Sequence, residues 1–275
     1  MKRWGAKLGG GRGAILAAVV LMAAGGGLAA VTAQRYSPEP PAATSADAEA
    51  EEESSPSGPL SEEDEALAKR LYELLKARDL PAAAQWMADN SGRFSSIYYE
   101  SLGAEPWLFD GERWKKGAEG RGMVFCRASL VFVGGFLDGK PQGDNLAFQA
   151  LNMNGLRCDY AVGWWNKGKL NGLSRSGYTI YEDGRAAASA EKWGAYEDNL
   201  LNGEFIYTVS TADGGELVWN LEADEGVTVL NDDWKYDEGQ DTYVLLAAGR
   251  KDLGYRLPAA EAGAVRWRNQ LEWGQ

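Results

Sequence analysis

One spacing recurs through the middle of the chain and limits what it can fold into. An aromatic residue is followed seven positions later by glycine, at 136/143, 165/172, 196/203 and 219/226. The fullest copy is Phe132-Val133-Gly134-Gly135-Phe136-Leu137-Asp138-Gly139-Lys140-Pro141-Gln142-Gly143. A second, Gly163-Trp164-Trp165-Asn166-Lys167-Gly168-Lys169-Leu170-Asn171-Gly172, coincides with it at the aromatic and at both later glycines. A third carries Gly194, Tyr196 and Gly203 with Asn199 in place of the turn glycine, and a fourth, sparser copy pairs Trp219 with Gly226. An earlier stretch, Phe109-Asp110-Gly111 to Gly117, Gly120 and Gly122, keeps the glycines but shifts its aromatic to Trp114. Successive copies lie about 23 to 31 residues apart, a period that signifies a structural repeat.

Elementary chain geometry turns this pattern into hairpins. Asp138-Gly139 is a favoured two-residue turn, because both positions tolerate positive φ. Alternate residues of a strand share a face, so Phe132 and Phe136 point to the same side. One hairpin cannot bury such a face alone, and stacked hairpins bury it for one another. The expected fold is mainly β: an array of antiparallel β-hairpins over residues 107–230 that forms an elongated sheet. Five hairpins at ~4.8 Å per strand span roughly 45 Å.

The unit resembles the MORN repeat, Y-x-G-x-W-x-x-G-x-x-x-G-x-G. Phe132, Gly134, Phe136, Gly139 and Gly143 match in order, with Asn145 where the last glycine is expected. Gly163, Trp165, Gly168 and Gly172 fill the same slots, with Ala161 for the first aromatic. Later copies depart: Lys192 takes the first aromatic slot, and Leu217 and Glu222 take two glycine slots. The resemblance implies hairpin repeats used as scaffolds or docking surfaces, sometimes near membranes, and implies no catalysis.

The flanking regions have different tasks. Residues 1–35 open with Lys2, Arg3, Lys7 and Arg12, followed by 22 uncharged residues before Arg35. That length suits a transmembrane signal anchor with a cytoplasmic N-terminus. A cleaved signal peptide is the alternative, with Ala14–Ala24 as its apolar region and Val31-Thr32-Ala33 as its cleavage site. The first gives a single-pass membrane protein with an extracytoplasmic C-terminal part, the second a secreted one. Residues 36–60, rich in Pro, Ala, Ser and Glu, read as a disordered acidic linker.

Residues 61–106 carry helical periodicity. Ser61 has the character of an N-cap before Leu67, Leu71, Leu74 and Leu75. Pro81, Ala84, Trp86 and Met87 mark a second short helix ending near Asn90–Gly92. The expected product is a helical hairpin packed on the start of the repeats. In residues 231–275, Trp234, Tyr236, Tyr243, Leu245 and Leu246 suggest final strands, and Ala259–Trp273 suggests a capping helix over the open edge.

Composition removes most catalytic chemistry. The 275 residues include no histidine, which excludes Ser-His-Asp and Cys-His nucleophile systems and every histidine zinc motif. Two cysteines are too few for a thiolate zinc or iron–sulfur site. In the hairpin arrangement two strands separate Cys126 from Cys158, about 14 Å against a ~7 Å limit for a disulfide, so two buried thiols are expected. The net charge of −12 leaves no basic stripe for nucleic acid. Paired acids occur at Glu182-Asp183, Asp224-Glu225, Asp232-Asp233 and Asp237-Glu238 with Asp241, and read as turn and surface residues. A glycosidase would need them facing one another across a cleft, and Asp232–Asp241 lacks the spacing of an EF-hand calcium loop.

The expectation is therefore a non-enzymatic protein, with no catalytic, cofactor-binding or metal residues. It is a membrane-tethered, extracytoplasmic scaffold whose repeat surface meets a protein partner or an envelope polymer. The alternative is a cell-wall glycan-binding module that uses exposed aromatics. Exposure of Trp165 and Trp219 on one face would favour the glycan reading, and their burial the scaffold.

Overall fold

The computed structural model describes residues 60–102, 106–117, 119–153, 155–211 and 213–274. The expected membrane or signal segment and the acidic linker lie outside the described residues. Among the described residues no helix is long and apolar enough to cross a membrane.

Four turns at one end of the molecule carry positive φ at both central residues: Asp138-Gly139 (50° and 72°), Lys167-Gly168 (51° and 86°), Asp198-Asn199 (50° and 77°) and Glu225-Gly226 (46° and 79°). This backbone matches the right-handed twist of the strands it joins. The turns link an antiparallel run of β4 (Leu130–Leu137), β5 (Lys140–Met153), β6 (Gly155–Asn166), β7 (Lys169–Glu182), β8 (Arg185–Glu197), β9 (Leu200–Thr211), β10 (Glu216–Asp224) and β11 (Val227–Thr228). The sheet has eleven strands, and each from β3 (Gly120–Arg127) to β11 pairs with its sequence neighbour. The mainly β hairpin array is thus present.

The glycines of the repeat do two jobs. Gly143, Gly172 and Gly203 stand in a bulge after the turn at φ of 78°, 64° and 88°. A Cβ at Gly143 would meet nothing within 4 Å, so backbone conformation alone requires glycine there. Gly163 is different, because a Cβ would lie 1.9 Å from the Oγ of Ser174 on the next strand. Asn145, in the slot of the missing final glycine, is buried, and its amide donates to the carbonyls of Gly135, Gln142 and Gly143 at 3.1, 3.2 and 3.2 Å. It clamps the bulge from inside.

The earliest copy breaks the sequential order. β1 (Trp107–Phe109) lies between β3 and β2 (Trp114–Lys116), leaving β2 at the edge. Phe109 pairs with Met123 of β3 and with Trp114 of β2. This is a correction to the expectation of simple stacking, and the displaced aromatic Trp114 is its mark in the sequence.

Each sheet face has its own cover. Over the first strands lie α1 (Glu62–Lys76), α2 (Leu80–Asp89) and α3 (Ser91–Ser96), the last running into a π-helical turn at Ile97–Leu102. Ser61 Oγ accepts from the Asp64 amide at 3.2 Å and Asp79 caps α2 in the same way, at 3.2 Å to Ala82. Leu71, Leu75, Met87 and Phe94 then pack on Phe125, Val131, Leu146 and Phe148. The third helix exceeds the expected hairpin; its polar start hides the buried pair Phe94 and Ile97.

On the opposite face the repeat aromatics Phe136, Trp165, Tyr196 and Trp219 are all buried. A second sheet, β12 (Lys235–Asp237), β13 (Thr242–Leu246) and β14 (Gly254–Pro258), contributes to this core with the C-terminal segment. The capping helix expected over Ala259–Trp273 is not formed: a single 3-10 turn at Ala259–Glu261 gives way to extended chain. The reason lies in periodicity. Trp267, Asn269 and Leu271 are buried at every second position, the pattern of an extended strap. It is tied down by Leu201 N to Trp267 O at 2.9 Å and Asn269 N to Asn199 O at 2.7 Å.

Candidate binding face

The helices cover only part of their side of the sheet. Their apolar cluster ends at Tyr160, Val162 and Tyr181 on β6 and β7. Beyond that line, toward β10, the same face carries Trp164, Leu173 and Trp193 with fractional exposures of 52%, 67% and 38%.

The register sets their arrangement. Val162 faces Arg175 and Arg175 faces Trp193, so Val162 and Trp193 stand level across β6, β7 and β8. Trp164 is two residues further along β6, two strands or about 10 Å from the line of Trp193. Leu173 stands between them, in the stretch of β7 where three residues, 172–174, oppose one on β6.

A polar frame holds this patch. Tyr160 Oη donates to Glu191 Oε2 at 2.7 Å, and Arg175 Nη1 lies 3.7 Å from Glu191 Oε1. The Arg175 guanidinium also sits over the Trp193 ring, 5.7 Å from its centroid. Burial raises the Tyr160 pKa, and the bond to Glu191 raises it further, so this phenol stays a donor. Further out, Glu204 on β9 and Glu222 on β10 are directly opposite. Among the described residues no basic side chain lies within salt-bridge distance of either carboxylate. Ile206, Thr208 and Val218 complete the floor, half-buried.

The residues that sequence reasoning singled out are dispersed. Trp165 and Trp219 are 0% and 4% exposed, on the face sealed by the C-terminal strap. Glu182-Asp183 and Asp224-Glu225 are at strand ends and turns, Asp237 lies 3.7 Å from Arg256, and Asp241 accepts from Tyr236 Oη at 2.6 Å. Among the described residues no three His, Cys, Asp or Glu side chains are grouped to hold a metal. Cys126 and Cys158 are both free thiols in different core clusters. Burial pushes the Cys158 thiol up to about 12. A hollow of about 440 Å³ lies where the end of α2 meets the sheet, lined by Gln85, Asp89, Asn152, Tyr181 and Asp183 among others.

The aromatic-to-glycine spacing does not mark the exposed pair Trp164 and Trp193. A signal was present: adjacent residues of a strand face opposite ways, so Trp164 must leave the core that Trp165 enters. No family model matches the chain, and a search of curated proteins finds no match to it.

Proposed function

We propose that this protein is a non-enzymatic scaffold that docks a protein partner on the open face of its hairpin sheet. One observation carries the reading: the face around Trp193 lies beyond the helices, while the strap and second sheet seal the opposite face. Trp164, Leu173 and Trp193 form an apolar centre framed by charged groups, as in a protein-binding patch. Burial of Trp165 and Trp219 argues against a glycan platform built from the repeat aromatics. The MORN-like spacing supports the same reading. The basic start and uncharged run before Arg35 support tethering to a membrane, with the repeats on the outer side.

Site-specific photo-crosslinking tests the docking face. A photoreactive residue in place of Trp193 should trap one discrete partner band in cells, and the same group at Gln240, in the C-terminal loops, should not. Equal, diffuse adducts from both positions would overturn the proposal. Labelling of a cysteine introduced at Gly184 by a membrane-impermeant maleimide on intact cells tests the tether, and protection until lysis would refute an outer location.

A further inference from the structure

Taking the open face as the docking surface, we propose that its partner presents a cationic segment, Lys- or Arg-bearing with apolar residues between, that lies across β7 to β10. Two features meet on that face. The first is the apolar centre of Trp164, Leu173 and Trp193, which offers stacking and aliphatic contact. The second is the Glu204 and Glu222 pair. Like charges directly opposite on neighbouring strands repel, and among the described residues no basic side chain lies within salt-bridge distance of either.

The neighbouring acid shows what the fold does when a carboxylate is structural. Glu191 receives the phenol of Tyr160 and the guanidinium of Arg175, and both are anchored in the sheet. Among the described residues Glu204 and Glu222 have no such ion-pair partners, and they sit within two residues of Ile206 and Asn220 on the same face. A cation from outside would satisfy both carboxylates at once. The Trp193 ring, already carrying Arg175, is suited to a second cationic or apolar side chain at its edge. An extended segment presents every second side chain to one side, so a segment whose residues i, i+2 and i+4 are cationic and apolar by turns meets carboxylates and tryptophans in turn.

The test titrates the full chain, kept soluble in mild detergent, with a fluorescent ten-residue peptide that carries lysine and leucine by turns at every second position and serine between. A counterpart with glutamate in place of each lysine is run beside it. The expected result is at least tenfold tighter binding of the lysine peptide, a preference lost in E204Q/E222Q and kept in the charge-matched E182Q/D183N. The salt dependence of binding should also become shallower in E204Q/E222Q. Thermal unfolding of each variant verifies the fold, and removing the repulsion should leave E204Q/E222Q no less stable than the parent. Unchanged lysine-peptide binding by E204Q/E222Q overturns the cationic partner. If W164A/W193A then weakens both peptides alike, the open face stands as a docking surface with different chemistry. If W164A/W193A also changes nothing, the docking face falls with it. Peptidoglycan binding that is lost in W164A/W193A, without a peptide preference, overturns the inference in favour of a glycan ligand.

Discussion

Gly163 on β6 and Ser174 on β7 approach so closely that a Cβ on the glycine would lie 2.5 Å from the serine Cβ as well as 1.9 Å from its Oγ. The contact exists because β7 swells after its turn, carrying Ser174 inward, where its hydroxyl donates to Asn171 O at 3.0 Å. The bulge and the close approach are one feature seen from two strands. Gly163→Ala should therefore cost about 1–3 kcal/mol, the usual range for overpacking. Urea unfolding measures it, and the double variant with Ser174→Gly should recover part of the loss. Purely additive losses would place the strain elsewhere.

The same contact shows how much was legible in the sequence. Turn chemistry at Asp138-Gly139 and the spacing of Phe136, Trp165 and Tyr196 state the hairpins directly, because each local rule agrees with the tertiary result. The π-helical turn, the inserted β1 and the strap were less visible. They depend on which long-range partner a short apolar stretch finds, and Trp267 to Trp273 fits a helix or an extended chain until its partners are known. The open face is only half legible for a related reason. Strand alternation turns Trp164 away from the core that Trp165 enters and Trp193 away from that of Tyr196, but whether helices cover that side depends on the finite width of the helical layer.

The strap should be a major source of stability. Trp267 is 5% exposed, with its ring 4.9 Å from Phe205, 5.4 Å from Tyr207 and 5.5 Å from Tyr255, and its Nε1 donates to Thr228 Oγ1 at 2.8 Å. Trp267→Ala removes that packing and leaves the Thr228 hydroxyl without its donor. A loss of about 3–5 kcal/mol is expected in urea unfolding. Dye binding to newly exposed apolar surface should rise at the same time. A loss under about 1 kcal/mol would mean that the strap only lies on the sheet.

The two thiols should differ in reactivity. Cys158 is fully buried and its pKa is pushed up to about 12 by burial, whereas Cys126 is half-buried with its sulfur accepting from the Gly274 amide at 3.5 Å. The thiolate is the reactive form, so native protein at pH 8 should label slowly at Cys126 and not at Cys158. Cys126→Ser should abolish native labelling, and denaturant should restore one equivalent from Cys158. Fast native labelling of Cys158 would place it outside the helix-covered core. Oxidation should form no intramolecular disulfide while the fold persists.

Lys192, in the slot where the repeat unit expects an aromatic, should make stability depend on pH. Its Nζ donates to the Arg268 carbonyl of the strap at 2.7 Å. Burial lowers its pKa to about 8, with Asp159 opposing and the Arg268 guanidinium adding to the shift. An unfolded lysine titrates near ~10.4. Between about pH 8 and pH 10 the unfolded chain therefore holds a proton that the folded chain has released, and stability rises with pH across that window. Below about pH 8 both states are protonated and the cost of burying the charge is present in full. Above about pH 10 the buried phenols of Tyr196 and Tyr207, whose pKa values burial raises, act the other way. Lys192→Met removes the buried charge, so the parent-minus-variant stability should climb from pH 8 to 9.5 and be flat between pH 6 and 7. Chemical denaturation at half-unit pH steps measures the difference, and a flat difference throughout would show that Lys192 keeps its charge in contact with water.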